Sequence, residues 1–396
     1  MRSGRDGDAV EVVLDVSAVP VKPAGAGRYI VELARALGQR PDVDLGLVTR
    51  REDTGRWRAV APQAALHAWV PNARPVRLAY ERAVLGRRVA TRCGRGAVYH
   101  GPHYTLPAGL AGPKVVTFHD LTFFDHPEWH EAAKVNVFRA AIRRSARIAD
   151  VVVCVSPTTA RRLAELIDVK GEVVVAEHGV DHDRFRPGEV DTSVLPSGLR
   201  AAGAAAQAGG GGAGLILHVG TLEPRKGIVD LVDAFGRLAA SRPLVQLVLV
   251  GLPGWGAAEV TGAVAASPAR DRIVLPGFVS DEAVVTLMRA ADVVAYPSRE
   301  EGFGLPALEA MAVGATLVTT EGTAMADFSE GAAWLARPGD PVSLASAISA
   351  ALDAPAEERA RRRGIGLERS AAFTWQRTAD LHVAAYRQAR DAAVLS

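Results

Sequence analysis

Pro297-Ser298-Arg299-Glu300-Glu301-Gly302-Phe303-Gly304-Leu305-Pro306 runs directly into Ala307-Leu308-Glu309-Ala310-Met311. The apolar run Asp292–Tyr296 before it reads as a strand, and the paired glycines make a tight loop. Pro306 suits the first turn of a helix, where its missing N–H costs nothing, and Gly314 suits that helix's end. The stretch therefore predicts a strand, a loop and a helix N-terminus. Backbone N–H groups at such a terminus favour an anion such as a diphosphate. Glu301 falls in the loop and Glu309 on the helix, with seven residues between them, so the two carboxylates reach different parts of one ligand. A carboxylate accepts from two hydroxyls at once, which suits a ribose or a sugar diol.

Working outward, the same strand-then-helix order recurs. A first set of apolar runs covers Val10–Val16, Leu45–Thr49, Ala97–His100, Lys114–Phe118, Val151–Val155 and Val173–Ala176. A second covers Leu215–Val219, Val245–Val250, Arg272–Pro276, Asp292–Tyr296 and Thr316–Thr319. Rich in Val, Ile and Leu on both faces, they fit strands covered on two sides, with helical patterns such as Gly27–Leu37, Glu131–Ala149, Gly227–Ala240 and Asp281–Ala291 between them. This order predicts an α/β fold of two doubly wound parallel sheets with right-handed crossovers. The uncharged Ala201–Gly214 stretch reads as a linker or surface insertion. The expected division is a first domain over 1–190, a Gly/Ala-rich linker over 191–214, and a second domain over 215–373. Ligands bind at the C-terminal ends of such strands, so the default site is a cleft between the sheets. A last helical stretch over 374–392 either packs on the second domain or returns to the first.

Composition narrows the classes. The 396 residues carry 46 Lys plus Arg against 44 Asp plus Glu, a net charge of +2, which gives no global field for nucleic acid. Cys93 and Cys154 are the only cysteines, which excludes a disulfide scaffold and a Cys-rich metal site. The polar start MRSGRDGDAV carries no signal-peptide core, and no apolar run is long enough to span a membrane. These features predict a cytoplasmic enzyme. Arg74–Arg95 holds seven Arg and one acid, Glu81, interleaved with apolar residues. It reads as a solvated helix, or as a peripheral contact with the inner face of an anionic membrane. Oligomeric state is not legible.

Three further segments follow strands. Val219-Gly220-Thr221-Leu222-Glu223-Pro224-Arg225-Lys226-Gly227 opens a helix with two cations, which oppose the helix dipole and call for an anion; the Walker A spacing is missing. Gly25-Ala26-Gly27-Arg28-Tyr29 permits close backbone approach to a ligand. Phe118-His119-Asp120-Leu121 places a histidine where it can donate to a sugar hydroxyl or handle a proton. His126, Glu128 and His130 lack the ligand set of a metal site.

Together these segments resemble glycosyltransferase family 4, retaining enzymes of the GT-B fold. EGFGLPALEAM with Glu301 and Glu309, VGTLEPRKG, His178-Gly179-Val180-Asp181 with Phe185-Arg186-Pro187, the Gly25–Tyr29 loop, His119-Asp120 and the Trp375 to Tyr386 helix carry the likeness, which spans about residues 10–388. His119-Asp120-Leu121 with His126-Pro127-Glu128-Trp129 is most similar to the bacterial mannosyltransferase-like branch. The resemblance implies catalytic roles for Glu301, Arg225, Lys226 and His119: sugar hydroxyls on Glu301, the diphosphate on Arg225 and Lys226, and His119 near the anomeric centre. It implies donor binding by Gly27, Gly220, Phe278, Val279, Gly302, Phe303, Gly304, Leu305 and Glu309, with the ribose on Glu309 and the base near Gly277-Phe278-Val279. The closing helix then returns to the first, acceptor-binding domain. GDP-mannose leads as donor, with UDP-hexoses behind it. The acceptor is a hydroxyl of a cell-envelope glycan, a lipid-linked glycan or a small natural product. No Asp-x-Asp stands at a strand end, so no cofactor or metal is expected, and Arg225 and Lys226 take that role. Retention without a second carboxylate near the anomeric carbon points to front-face transfer. Alternatives on the same scaffold are a nucleotide-sugar epimerase and an inactive sugar-nucleotide-binding partner subunit.

Overall fold

The computed structural model describes residues 9–23, 25–94, 96–200 and 214–395. They form two units, residues up to Gly179 with Trp375 onward, and Val180–Thr374. The division falls at Gly179 rather than at residue 190, because Val180 pairs with Thr374 and its N–H donates to the Phe373 carbonyl at 3.0 Å. Residues 201–213, most of the expected linker, lie outside the described residues, and Gly214 already belongs to a strand.

The first unit is a seven-stranded parallel sheet of β1 (Val10–Asp15), β2 (Val43–Arg50), β3 (Ala65–Val70), β4 (Val98–Gly101), β5 (Lys114–Phe118), β6 (Val151–Cys154) and β7 (Glu172–Val175). Its order is β3-β2-β1-β4-β5-β6-β7. The second is a six-stranded sheet of β8 (Gly214–Val219), β9 (Val245–Val250), β10 (Ile273–Gly277), β11 (Val293–Tyr296), β12 (Leu317–Thr320) and β13 (Trp334–Ala336), in the order β10-β9-β8-β11-β12-β13. Each order reverses once, beside β1 and β8, which is where a doubly wound sheet opens a crevice at its strand ends. Central strands are buried on both faces, as in Val151–Cys154 and Val293–Tyr296, so they read as continuous apolar runs.

Edge strands β3 and β13 are absent from the sequence reading. Ala65–Val70 is half-buried along most of its length and interrupted by His67, and Trp334–Ala336 has three residues, so neither carries a strong apolar period. Arg74–Arg92 folds as helix Arg74–Tyr80, a π-helical turn Glu81–Leu85 and helix Gly86–Arg92, with Arg95 outside the described residues. Leu85 and Val89 face the core, while Val76 and Val84 are exposed. The closing helix Trp375–Leu395 belongs to the first unit, where Val383, Ala385, Tyr386 and Ala389 are buried and the Thr378 hydroxyl donates to the Glu177 carbonyl at 2.8 Å. No helix among the described residues is long and apolar enough to cross a membrane.

Candidate active site

The second unit gathers the charged residues at the C-terminal edge of its sheet. From β8 the chain passes Gly220 and enters the short turn Pro224–Lys226; Gly227 then caps the helix Ile228–Ala239. From β11 it passes Pro297–Gly304 into the helix Leu305–Ala312, with Pro306 in the first turn. Gly304 caps this helix at φ 97°, and a Cβ there would stand 2.2 Å from Met325 Cγ. Only glycine fits that conformation and that space.

The two loops meet at Lys226 and Glu301. The Lys226 ammonium donates to Glu301 Oε2, the Ser298 hydroxyl donates to the same oxygen at 3.4 Å, and Arg225 Nη1 lies 4.0 Å from it. Arg225 Nε donates to Glu223 at 2.8 Å. The two cations opening the helix are thus partly balanced by Glu223 and Glu301, where the sequence reading looked only to a bound anion. Burial lowers the Lys226 pKa, and the Glu301 carboxylate opposes that shift. A charged pair withdrawn from water in this way can exchange one partner for a ligand anion or hydroxyl at small cost.

Glu309 is buried on the Leu305–Ala312 helix, one face away from solvent, so it is not a solvated surface acid. Phe303 is buried against Phe328 and Phe373, at ring separations of 5.3 and 6.1 Å, which leaves its backbone rather than its ring for a ligand. Leu305 is also buried, and Gly302 lies in the loop between. At the end of β10, Phe278 is exposed while Val279 turns inward, so of the two only Phe278 presents a side chain to solvent.

Gly27 and His119 lie in the first unit. Gly27 is the second residue of the helix Ala26–Gly38. His119 follows β5 and is buried; its Nε2–H donates to the Pro102 carbonyl at 2.8 Å, which leaves Nδ1 as the acceptor. Burial pulls its pKa down to about 4, so the imidazole is neutral near pH 7. Tyr104 packs edge-on against it and sits at φ 62°, a left-handed conformation rare for an aromatic residue. The Tyr104 hydroxyl accepts from the Asp120 N–H at 3.1 Å and so fixes the loop after His119. His126 pairs with Glu128 at 3.0 Å and His130 with Thr122 at 2.9 Å. Among the described residues no group of three or more His, Cys, Asp or Glu is placed to hold a metal ion.

Several residues of the site carry no sequence signal. His218 on β8 is fully buried, donates from Nδ1 to the Ala295 carbonyl at 2.9 Å, and leaves Nε2 without a protein partner. Asp230, in the first turn of the Ile228–Ala239 helix, and Arg299, in the loop after β11, form a forked ion pair. An Asp in a first helical turn and an Arg in a loop are both commonplace, and only the fold pairs them.

Comparison with known proteins agrees with this architecture. The model for glycosyl transferases group 1 matches residues 207–366, and that for glycosyltransferase family 4 matches residues 23–184. The O-antigen chain mannosyltransferase B of Escherichia coli is 30% identical over 300 residues, 75% of this chain and 76% of the relative. A D-inositol 3-phosphate glycosyltransferase of Geodermatophilus obscurus is 28% identical over 96% of this chain and 89% of its own. Among solved structures, sucrose-phosphate synthase from Thermosynechococcus elongatus superposes with a TM-score of 0.75 at 22% identity, covering 96% of this chain and 98% of that one. Anabaena HepE in complex with UDP-glucose gives 0.71 at 20% identity, covering 95% and 98%. These likenesses to GT-B structures establish the fold. With the mannosyltransferase relative and both family models, they place the chain in glycosyltransferase family 4, on its bacterial mannosyltransferase-like branch.

Proposed function

We propose that the chain is a retaining hexosyltransferase that moves a sugar, mannose first among the choices, from a nucleoside diphosphate donor to a hydroxyl acceptor without a metal ion. The observation that carries this reading is the convergence of Lys226, Arg225 and Glu301 beside two helix N-termini in one unit. Breaking the sugar C1–O bond passes through an oxocarbenium-like state and builds negative charge on the departing diphosphate. Lys226 and Arg225 meet that charge, helped by the N-terminal ends of the Ile228–Ala239 and Leu305–Ala312 helices; the Gly220 N–H donates to the Val250 carbonyl at 2.9 Å, so Gly220 offers close backbone approach and no donor. Glu301, released from Lys226, accepts from hydroxyls of the transferred sugar, and Glu309 accepts from the ribose. In this reading the unit Val180–Thr374 is the donor domain, and the unit up to Gly179 with the closing helix is the acceptor domain. Gly27 offers its backbone to the diphosphate, His119 Nδ1 accepts near the anomeric centre, and the segment at Phe278 and Val279 lies by the base. The mannosyltransferase relative supports mannose as the transferred sugar, with GDP-mannose as our leading donor, and the HepE likeness keeps UDP-hexoses behind it. The acceptor is a glycan, a lipid-linked glycan or a small molecule, met in the cytoplasm, with Arg74–Arg95 read as a solvated segment; salt-dependent co-sedimentation with anionic liposomes would make it a peripheral membrane contact instead.

A thermal-shift panel of GDP-mannose, UDP-glucose and UDP-N-acetylglucosamine tests the donor. The true donor raises the midpoint, since a ligand that binds only the folded chain stabilises it. Turnover of that donor is expected to survive excess EDTA and to give the same anomeric configuration in the product. Loss restored by manganese overturns metal independence, and an inverted product overturns retention. Conversion of UDP-N-acetylglucosamine without acceptor makes the chain an epimerase.

A further inference from the structure

One residue bonds the chain on both sides of Lys226, at Arg225 before it and at Asp230 after it. The Arg299 backbone N–H donates to the Arg225 carbonyl at 3.0 Å, on the residue before Lys226. The Arg299 guanidinium reaches past it to Asp230, with Nε to Oδ2 at 2.9 Å and Nη2 to Oδ1 at 2.9 Å. Asp230 sits in the first turn of the Ile228–Ala239 helix and is 6% exposed. Its carboxylate has left water, and the parallel fork is the contact that offsets that desolvation. The loop bearing Arg299 is itself fixed, because the Thr320 hydroxyl donates to the Ser298 carbonyl at 2.6 Å. Two residues after Arg299 comes Glu301, the partner of Lys226. The loops that carry Lys226 and Glu301 are therefore tied by Arg299 on either side of Lys226.

We propose that Arg299 and Asp230 are positioning residues that hold the chain segments bearing Lys226 and Glu301 in register, so that the Lys226 ammonium meets the donor diphosphate when the donor displaces it from Glu301. This rests on the donor-site reading above and adds the device that preorganises it. An exposed ion pair contributes little, about 0–1 kcal/mol. This pair differs in having one buried partner and bidentate geometry, and in straddling a residue whose placement matters. A shift of about 1 Å in a charged group at a reacting centre costs roughly 10²-fold in rate. Lysine at 299 keeps the charge and loses the fork, so it does not substitute.

The test compares Arg299→Gln, Arg299→Lys, Asp230→Asn, Lys226→Ala and the double variant Lys226→Ala/Arg299→Gln. Each is titrated calorimetrically with UDP and GDP, assayed for kcat and KM with the donor that the wild type turns over, and melted. Arg299→Gln and Arg299→Lys are expected to lower kcat by about 10- to 100-fold with donor KM changed less than about threefold. In the Lys226→Ala background, Arg299→Gln is expected to remove no further diphosphate affinity or rate, because its effect passes through Lys226. A kcat within about twofold of wild type in Arg299→Gln, or losses that multiply in the double variant, overturns the proposal. Should Arg299→Gln melt far below wild type, Arg299→Lys and Asp230→Asn carry the same comparison. Wild type that binds neither diphosphate nor any donor sinks the donor site itself. Wild type that binds, with variants that match it, sinks only the positioning role.

Discussion

Gly227 joins the turn that carries Lys226 to the helix behind it. Its φ is 68°, and a Cβ there would stand 1.9 Å from the Pro297 carbonyl oxygen. The conformation alone costs alanine about 1–2 kcal/mol, and the backbone atom it meets cannot turn aside. Gly227→Ala is therefore expected to cost more than about 2 kcal/mol in urea unfolding and to abolish donor binding with it. An unchanged midpoint would mean that the loop yields, and that it does not hold Lys226 in place. At this scale the sequence shows the charges but not their partners. Arg225, Lys226, Glu301 and Glu309 are legible because each stands at a set distance from a strand end or a helix start. Asp230 and Arg299 acquire meaning only when 69 residues of chain fold them together. Phe303 looks like a loop ring free for a ligand, and packing against Phe328 and Phe373 takes it into the core.

Between elements, a chain of hydrogen bonds links the closing helix to the first unit's sheet. The His382 Nδ1–H donates to the Thr378 carbonyl at 2.7 Å, so Nε2 is an acceptor. The Tyr29 hydroxyl then donates to His382 Nε2 at 2.8 Å and accepts from the Thr117 hydroxyl at 3.0 Å. Thr117 in turn accepts from the His100 Nε2–H at 2.8 Å, and His100 Nδ1 accepts from the Tyr386 hydroxyl at 2.8 Å. Every proton in the chain points one way, from Tyr386 through β4, β5 and the first helix back to the closing helix. Tyr386→Phe strips one acceptor, His100 Nδ1, which costs about 1–3 kcal/mol when buried. Tyr29→Phe strips His382 Nε2 and also leaves the Thr117 hydroxyl without its acceptor. Denaturant unfolding is expected to rank Tyr29→Phe as the more damaging change. Equal midpoints in both variants and wild type would show that the chain carries no stability. The apolar runs that announce β4 and β5 are plain in the sequence, and so is the helical period of the closing segment. What ties them lies in polar residues that look unremarkable singly. The edge strands β3 and β13 were unreadable for the opposite reason, since partial exposure or brevity removes the apolar period.

Across the whole molecule, buried neutral imidazoles are distributed unevenly between the units. His100, His119, His178 and His382 belong to the first, and burial holds the pKa of each below its ordinary value of 6.5, with His119 and His382 near 4. Neighbouring imidazoles lower several of these further, since a second positive charge is opposed by the first. Among the described residues of the second unit, His218 is also held near 4 by burial. The sign follows from linkage. Below pH 6.5 the unfolded chain binds protons that the folded chain refuses, so stability falls as pH falls toward the depressed folded values, about 4 for His119 and His382. Glu81 opposes this in the first unit, because burial raises its carboxyl to about 7 and the folded form takes up that proton first. Burial lowers His67 and His103 of the same unit as well, so one group against six does not reverse the direction. Paired carboxylates such as Asp42 and Glu358, whose pKa values are lowered by their Arg partners, keep their contribution until pH falls below the ordinary carboxylate range. At pH 5, therefore, histidine rather than carboxylate protonation separates the units. Hydrogen exchange on the intact chain should show residues 10–179 and 375–395 losing protection between pH 7.5 and 5.0 while 214–374 loses less. Equal loss in both units would mean that the buried imidazoles are reached by protons without unfolding, and the asymmetry argued from their burial would fail.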